Sequence, residues 1–271
     1  RCKFRRNTMK MTIIEASMLL CCMLVGVKSD WGGSVQAVID KTKLSTFDMK
    51  QVSASIFSAM DANCQYGMKI LPSNKTTSER SKPCDQAEIE ELKEGLKNAE
   101  NFDLEAFLDR FTKSTAGLSM MNKYIERGVS ESVFKAALNQ TWGSKQSNEG
   151  MTTAFGRTFL NQGTQPHKAN SWYSYSYYEQ ECREGKENSD MKDGVYIVEA
   201  QCGRSNMSSF IAPNPPYEDM VIYTLCAWGT NVDCMVDVPG RSNINIEVSL
   251  GINADGHIYL IGVHPIIKKR P

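Results

Sequence analysis

The chain has 271 residues, of which 41% are hydrophobic and 23% charged, with 31 basic and 31 acidic side chains. That length buries a sizeable core as one large domain or two ordinary ones, and the composition excludes a chain disordered throughout. Six of the basic residues and one of the acidic residues fall in residues 1–29, so the remainder is mildly acidic, 25 basic against 30 acidic. It lacks the clustered positive surface typical of nucleic-acid binders, and a nucleic-acid partner is not expected. Lys268, Lys269 and Arg270 read as a solvated tail.

The N-terminal segment has the order of a secretory signal peptide. Arg1, Lys3, Arg5, Arg6 and Lys10 precede an apolar run over 16–27, and small residues around Ser29 suit cleavage there. The run is shorter than the roughly 20 apolar residues a membrane span needs, which leaves a membrane anchor second to export. Met9 or Met11 is the expected start. Domain limits follow as a signal peptide over 1–29, a helical region over 30–145 and a β-rich region over 146–271.

Residues 34–62 read as two helical pieces. Val35, Val38 and Ile39 mark the first, and Ser45 with Asp48 opens the second before Val52, Ile56 and Met60. A polar excursion over 63–83 follows. Asp85 then opens the strongest amphipathic pattern, with Ile89, Leu92, Leu96 and Ala99 on one face. Asp103 starts a helix carrying Leu104, Phe107, Leu108 and Phe111. Leu118, Met121, Tyr124 and Ile125 continue it, and Ser130 caps one bearing Val133, Phe134, Ala137 and Leu138. The stretch 143–150, turn-prone and without a large apolar side chain, marks the boundary.

Beyond it, period-two patterns predict strands over 172–178, 195–202 and 220–228. The final hairpin alternates Ile244, Ile246, Val248, Leu250 and Ile252, turns at Asp255 and Gly256, and returns through Tyr259, Ile261 and Val263. This register faces Ile252 with Tyr259, Leu250 with Ile261 and Val248 with Val263, all on one core face. The fold class is therefore α+β, a helical N-terminal half followed by a mainly antiparallel β half.

Nine cysteines less the three in the leader leave Cys64, Cys84, Cys182, Cys202, Cys226 and Cys234. Six allow 15 pairings, and short loops favour 64 with 84, 182 with 202 and 226 with 234. Asn74, Asn139 and Asn206 head glycosylation sequons. No nucleophile elbow, metal-binding helix, phosphate loop or dinucleotide fingerprint occurs. Neither a metal nor a cofactor is expected, since Asp61, Asn63 and Gln65 resemble a calcium loop whose twelfth place holds Pro72.

Two groups remain. Trp172, Tyr173, Tyr175, Tyr177 and Tyr178 form an aromatic run suited to recognition, with three tyrosines on one strand face. Among His167, His257 and His264, the last lies opposite Glu247 and offers an acid–base pair. The leading expectation is a secreted, non-enzymatic binding protein for an extracellular protein, carbohydrate or lipid headgroup. A membrane-active protein and a hydrolase using His264 and Glu247 are the alternatives.

Overall fold

The computed structural model describes residues 33–42, 46–59, 86–144, 152–162, 171–177, 182–184, 188–192, 195–202, 208–212, 216–229, 233–236, 244–252 and 257–266. Cys64, Cys84, Asn74, Asn206, His167 and Tyr178, the segment 1–29 and the boundary at 145–146 lie outside them.

The first half is helical, as its amphipathic spacing requires. Helices α1 (Gly33–Thr42), α2 (Thr46–Ala59), α3 (Gln86–Lys97), α4 (Leu104–Lys113), α5 (Thr115–Ile125) and α6 (Glu131–Gly143) succeed one another, with a 3-10 turn at Ala99–Asn101. The expected caps hold: Asp103 accepts the Ala106 N–H at 2.9 Å and Ser130 the Val133 N–H at 3.4 Å. Ile89 and Leu92, Phe107 and Phe111, and Phe134 and Leu138 all turn inward. Leu118 and Ile125 instead stand 41% exposed, because they sit about 100° round α5 from the stripe of Met120, Met121 and Tyr124.

The second half carries two antiparallel sheets, which bears out the α+β class. In one, β3 (Val195–Cys202) pairs with β1 (Cys182–Glu184), β2 (Asn188–Lys192) and β4 (Ser208–Ala212). In the other, β6 (Ile244–Ile252) lies between β5 (Asp233–Val236) and β7 (Ile258–Pro265). The Ser209 hydroxyl donates to the Pro265 carbonyl and joins β4 to β7.

Three helices in this half were not expected. The first, α7 (Ala154–Phe159), is capped by Thr153, which accepts the Gly156 N–H at 2.9 Å. The second is α8 (Trp172–Tyr177), where a strand was expected. Ser171 Oγ accepts the Ser174 N–H at 3.2 Å and Ser174 Oγ accepts the Ser171 N–H at 3.1 Å. This reciprocal capping box outweighs the strand preference of the tyrosines.

The third is α9 (Pro216–Trp228), where a strand was expected over 220–228. Pro216 at the first turn, with Glu218 and Asp219 beside it, is a helix start. Every residue of α9 is buried, which explains why no helical period shows: a helix surrounded by protein has no polar face to alternate with. It contacts α1, α2, α5, α6 and all three strands of the β5–β6–β7 sheet.

Reciprocal bonds fix α9 to α6. Trp142 Nε1–H donates to Thr224 Oγ1 at 3.0 Å, and Trp228 Nε1–H donates to Thr141 Oγ1 at 2.8 Å. The Trp228 ring meets the edges of Tyr124 and Phe134 at centroid distances of 5.3 and 5.4 Å, the T-shaped geometry aromatic pairs favour. Buried apolar residues from Val35 to Val263 form one cluster around this helix.

The final hairpin forms with one change of register. Glu247 faces His264 and Val248 faces Val263 as expected, but a bulge beyond Ser249 pairs Leu250 with Leu260, Gly251 with Tyr259 and Ile252 with Ile258. Ile261 is the extra residue. Its carbonyl accepts Arg157 Nε–H at 2.8 Å, so α7 supplies the donor the ladder lacks. The hairpin gives one face to the core, where Ile246, Leu260 and Val263 are buried, whereas Leu250 and Ile252 on β6 near the tip are 45% and 57% exposed.

Candidate functional site

The outer face of the β5–β6–β7 sheet brings together the one expected acid–base pair. Ile244 and Ile246 point into the core, so Glu247 points out. His264 lies beside it in register, Nε2 to Oε2 3.7 Å, with the imidazole 32% and the carboxylate 53% exposed. That distance is an ion-pair contact, longer than a hydrogen bond. Asp233 occupies the same level on β5, opposite Glu247. Such an arrangement can orient and stabilise an imidazolium at a surface open to a large ligand.

Tyr259 shares this outer face. It pairs with Gly251, and a Cβ on Gly251 would fall 2.4 Å from the tyrosine Cζ, so the ring covers the glycine backbone. Between the Tyr259 and His264 levels lie Ser249 and Gly262, and a Cβ on Gly262 would meet nothing within 4 Å. His257 is exposed just ahead of β7.

The aromatic run forms a short helix, not the expected strand. In helix α8 a period-two face no longer exists. Tyr173 is fully buried, whereas Tyr177 is 38% exposed. The side chains of Trp172 and Tyr175 lie outside the described residues. Burial holds the Tyr173 and Tyr223 hydroxyls well above the usual tyrosine range, and the nearby buried carboxylate of Asp219 adds to the shift.

Of the cysteines, Cys226 and Cys234 form a disulfide tying the end of α9 to β5, Cα atoms 5.4 Å apart. Cys182 and Cys202 face each other in the β1–β3 register. Asn139 is exposed on α6 at the rim of a cleft of about 1080 Å³ walled by Phe102, Leu104 and Phe155. The charged lining residues of that cleft, Glu100 and Glu105, are both acidic. Among the described residues no cluster of three or more His, Cys, Asp or Glu is arranged to hold a metal.

Cations on the helical surface are held by carboxylates: Lys93 by Glu90, Arg110 by Glu91, Lys113 by Asp109, Lys123 by Glu126 and Lys135 by Glu131. Lys113 holds the Asp109 carboxyl below its ordinary pKa through their hydrogen bond. Among the described residues, no helix is long and apolar enough to cross a membrane.

No protein-family model and no curated protein matches the chain. Among solved structures it is similar to XendoU, a splicing-independent, snoRNA-processing endoribonuclease. The match has a TM-score of 0.57 and 12% sequence identity, covering 81% of this chain and 96% of that one. The fold is therefore shared with an RNA-processing enzyme. This overturns the leading expectation of a non-enzymatic binder of extracellular protein, carbohydrate or lipid, which rested on the secretory leader, the aromatic run and the missing catalytic motifs. It equally overturns the exclusion of nucleic acid. Net charge is a sum over the chain, whereas RNA is recognised locally, by stacking and by contacts to bases and 2′-hydroxyls.

Proposed function

We propose that the chain is an RNA-cleaving enzyme whose reaction takes place on the outer face of the β5–β6–β7 sheet. One observation carries this reading: in a fold similar to an endoribonuclease, a half-buried imidazole stands beside an exposed carboxylate on an open sheet face, His264 Nε2 to Glu247 Oε2 3.7 Å. Cleavage of an RNA phosphodiester requires a proton to leave the attacking hydroxyl and another to reach the departing oxygen. An imidazole does either near neutral pH. His264 is assigned that proton transfer, and Glu247 is a positioning residue that orients the ring and stabilises its charged form.

As part of the same proposal the protein is exported, with the run over 16–27 as its address. The Cys226–Cys234 bridge supports an oxidising compartment, and the exposed Asn139 is available to a glycan.

The test is cleavage of an end-labelled, unstructured RNA by the purified chain, with DNA of the same sequence as control. RNA should be cut and DNA, which lacks the 2′-hydroxyl, left intact. His264→Ala should slow cleavage by about 10²- to 10⁴-fold with the melting temperature unchanged. An intact RNA with the wild-type chain, or equal rates for wild type and H264A, overturns the reading.

A further inference from the structure

We infer that Tyr259 is a base-stacking shelf that makes this site selective for unpaired RNA; the inference rests on the RNA reading above and deepens it. The bulge at Ile261 carries it. Without the extra residue, strict alternation would put Tyr259 on the core face; with it, Tyr259 turns to the outer face that holds His264 and Glu247.

The position is built for a flat ring. Gly251 opposite has no side chain, and the Tyr259 ring occupies the space a Cβ would need, 2.4 Å from Cζ and 2.8 Å from Cε2. One side of the ring is thus held against the β6 backbone, and the residue as a whole is half-buried. A tyrosine so supported has little rotamer freedom left to lose on binding.

The floor between shelf and imidazole is low. Ser249 and Gly262 occupy the intervening level, and the space above Gly262 is open. Glu247 and Gly251 are four residues apart on β6, which spaces the imidazole level from the shelf by ~13 Å. An extended strand laid along β6 and β7 can therefore rest a base on Tyr259 while its backbone passes His264. Stacking needs an exposed base face, which a single strand presents and a base-paired A-form helix does not. The cleft under Asn139 offers no competing site, since its charged groups repel phosphate.

The experiment measures binding of the full chain to a fluorescein-labelled single-stranded RNA and to the same RNA annealed to its complement. His264→Ala serves as background so that the substrate survives. The single strand should bind at least ~10-fold more tightly than the duplex. Tyr259→Ala should weaken single-strand binding by ~10-fold or more, and Tyr259→Phe should retain it. Tyr259→Leu covers Gly251 without an aromatic face; it should keep the melting temperature and still lose the binding, separating stacking from packing. Equal binding by Y259L and the parent, or equal affinity for duplex and single strand, overturns the shelf. If the wild-type chain cuts RNA while Y259L also cuts and binds normally, only the shelf falls. If wild type neither cuts nor binds RNA, the RNA reading falls with it.

Discussion

Helix α9 and the β6–β7 hairpin belong to the same half of the chain, touch each other, and are built on opposite terms. The helix is enclosed on every side and spends its polar groups, Thr224 among them, on other parts of the core. The hairpin gives one face to that core and leaves the other open, with apolar side chains exposed toward its tip. The contrast separates the element that holds the molecule together from the element free to meet a ligand. A surface able to admit a polymer has to lack the packing that makes α9 indispensable.

Truncation should expose that division most strongly. Trp228→Ala removes a ring wedged between Tyr124 and Phe134 and should cost about 3–5 kcal/mol in urea unfolding. Ile252→Ser at the hairpin tip, 57% exposed, should cost less than about 0.5 kcal/mol. Similar losses at the two positions would contradict the division.

A subtler change at α9 sharpens it. Thr224→Val keeps the shape but leaves the buried Trp142 N–H without its 3.0 Å acceptor, which should cost about 1–3 kcal/mol by the same measurement. A loss near zero would mean that shape alone joins α6 to α9.

The smallest effect at neutral pH belongs to Tyr124→Phe. The buried Tyr124 hydroxyl has no hydrogen-bond partner among the described residues, so its removal should change stability little at pH 7. Burial raises the Tyr124 pKa in the folded state far above its ordinary value of 10. The raised pKa makes its contribution complete below pH 10 and progressively lost above it, because the unfolded chain releases a proton that the folded chain retains. Wild type should lose about 1.4 kcal/mol per pH unit above pH 10 through this residue, and the phenylalanine variant should lack that component. Parallel alkaline stability curves would refute the assignment.

The parts of the fold legible in the sequence are those whose pattern is imposed by water. Helices α3, α4 and α6 have one wet and one dry face, and Asp103 and Ser130 mark where two of them start. Helix α9 has no wet face, so its apolar run matched a buried strand equally well; Pro216, Glu218 and Asp219 were the signals that distinguish the two. In α8 the tyrosines suggested a strand, while the deciding groups were Ser171 and Ser174, whose reciprocal capping is invisible to a search for a Glu at the third position.

The candidate site was half legible for a related reason. Glu247 and His264 lie at the base of the hairpin, before the register changes, so simple alternation paired them correctly. Tyr259 lies past the bulge, and the same alternation placed it on the wrong face. The determinant of that bulge includes Arg157, which comes from a helix about a hundred positions earlier and carries no local signature in β7.

The extra residue in β7 also has a bearing on how such a chain tolerates insertions and deletions. Losing Ile261 would leave the hairpin able to zip without interruption, yet would turn Tyr259 toward the core and strand the Arg157 guanidinium without its 2.8 Å carbonyl. Losing two residues from the turn instead would preserve the parity of both strands and merely shorten the arm. In this hairpin a one-codon deletion is a harsher edit than a two-codon one, and reading frame alone is a poor guide to damage.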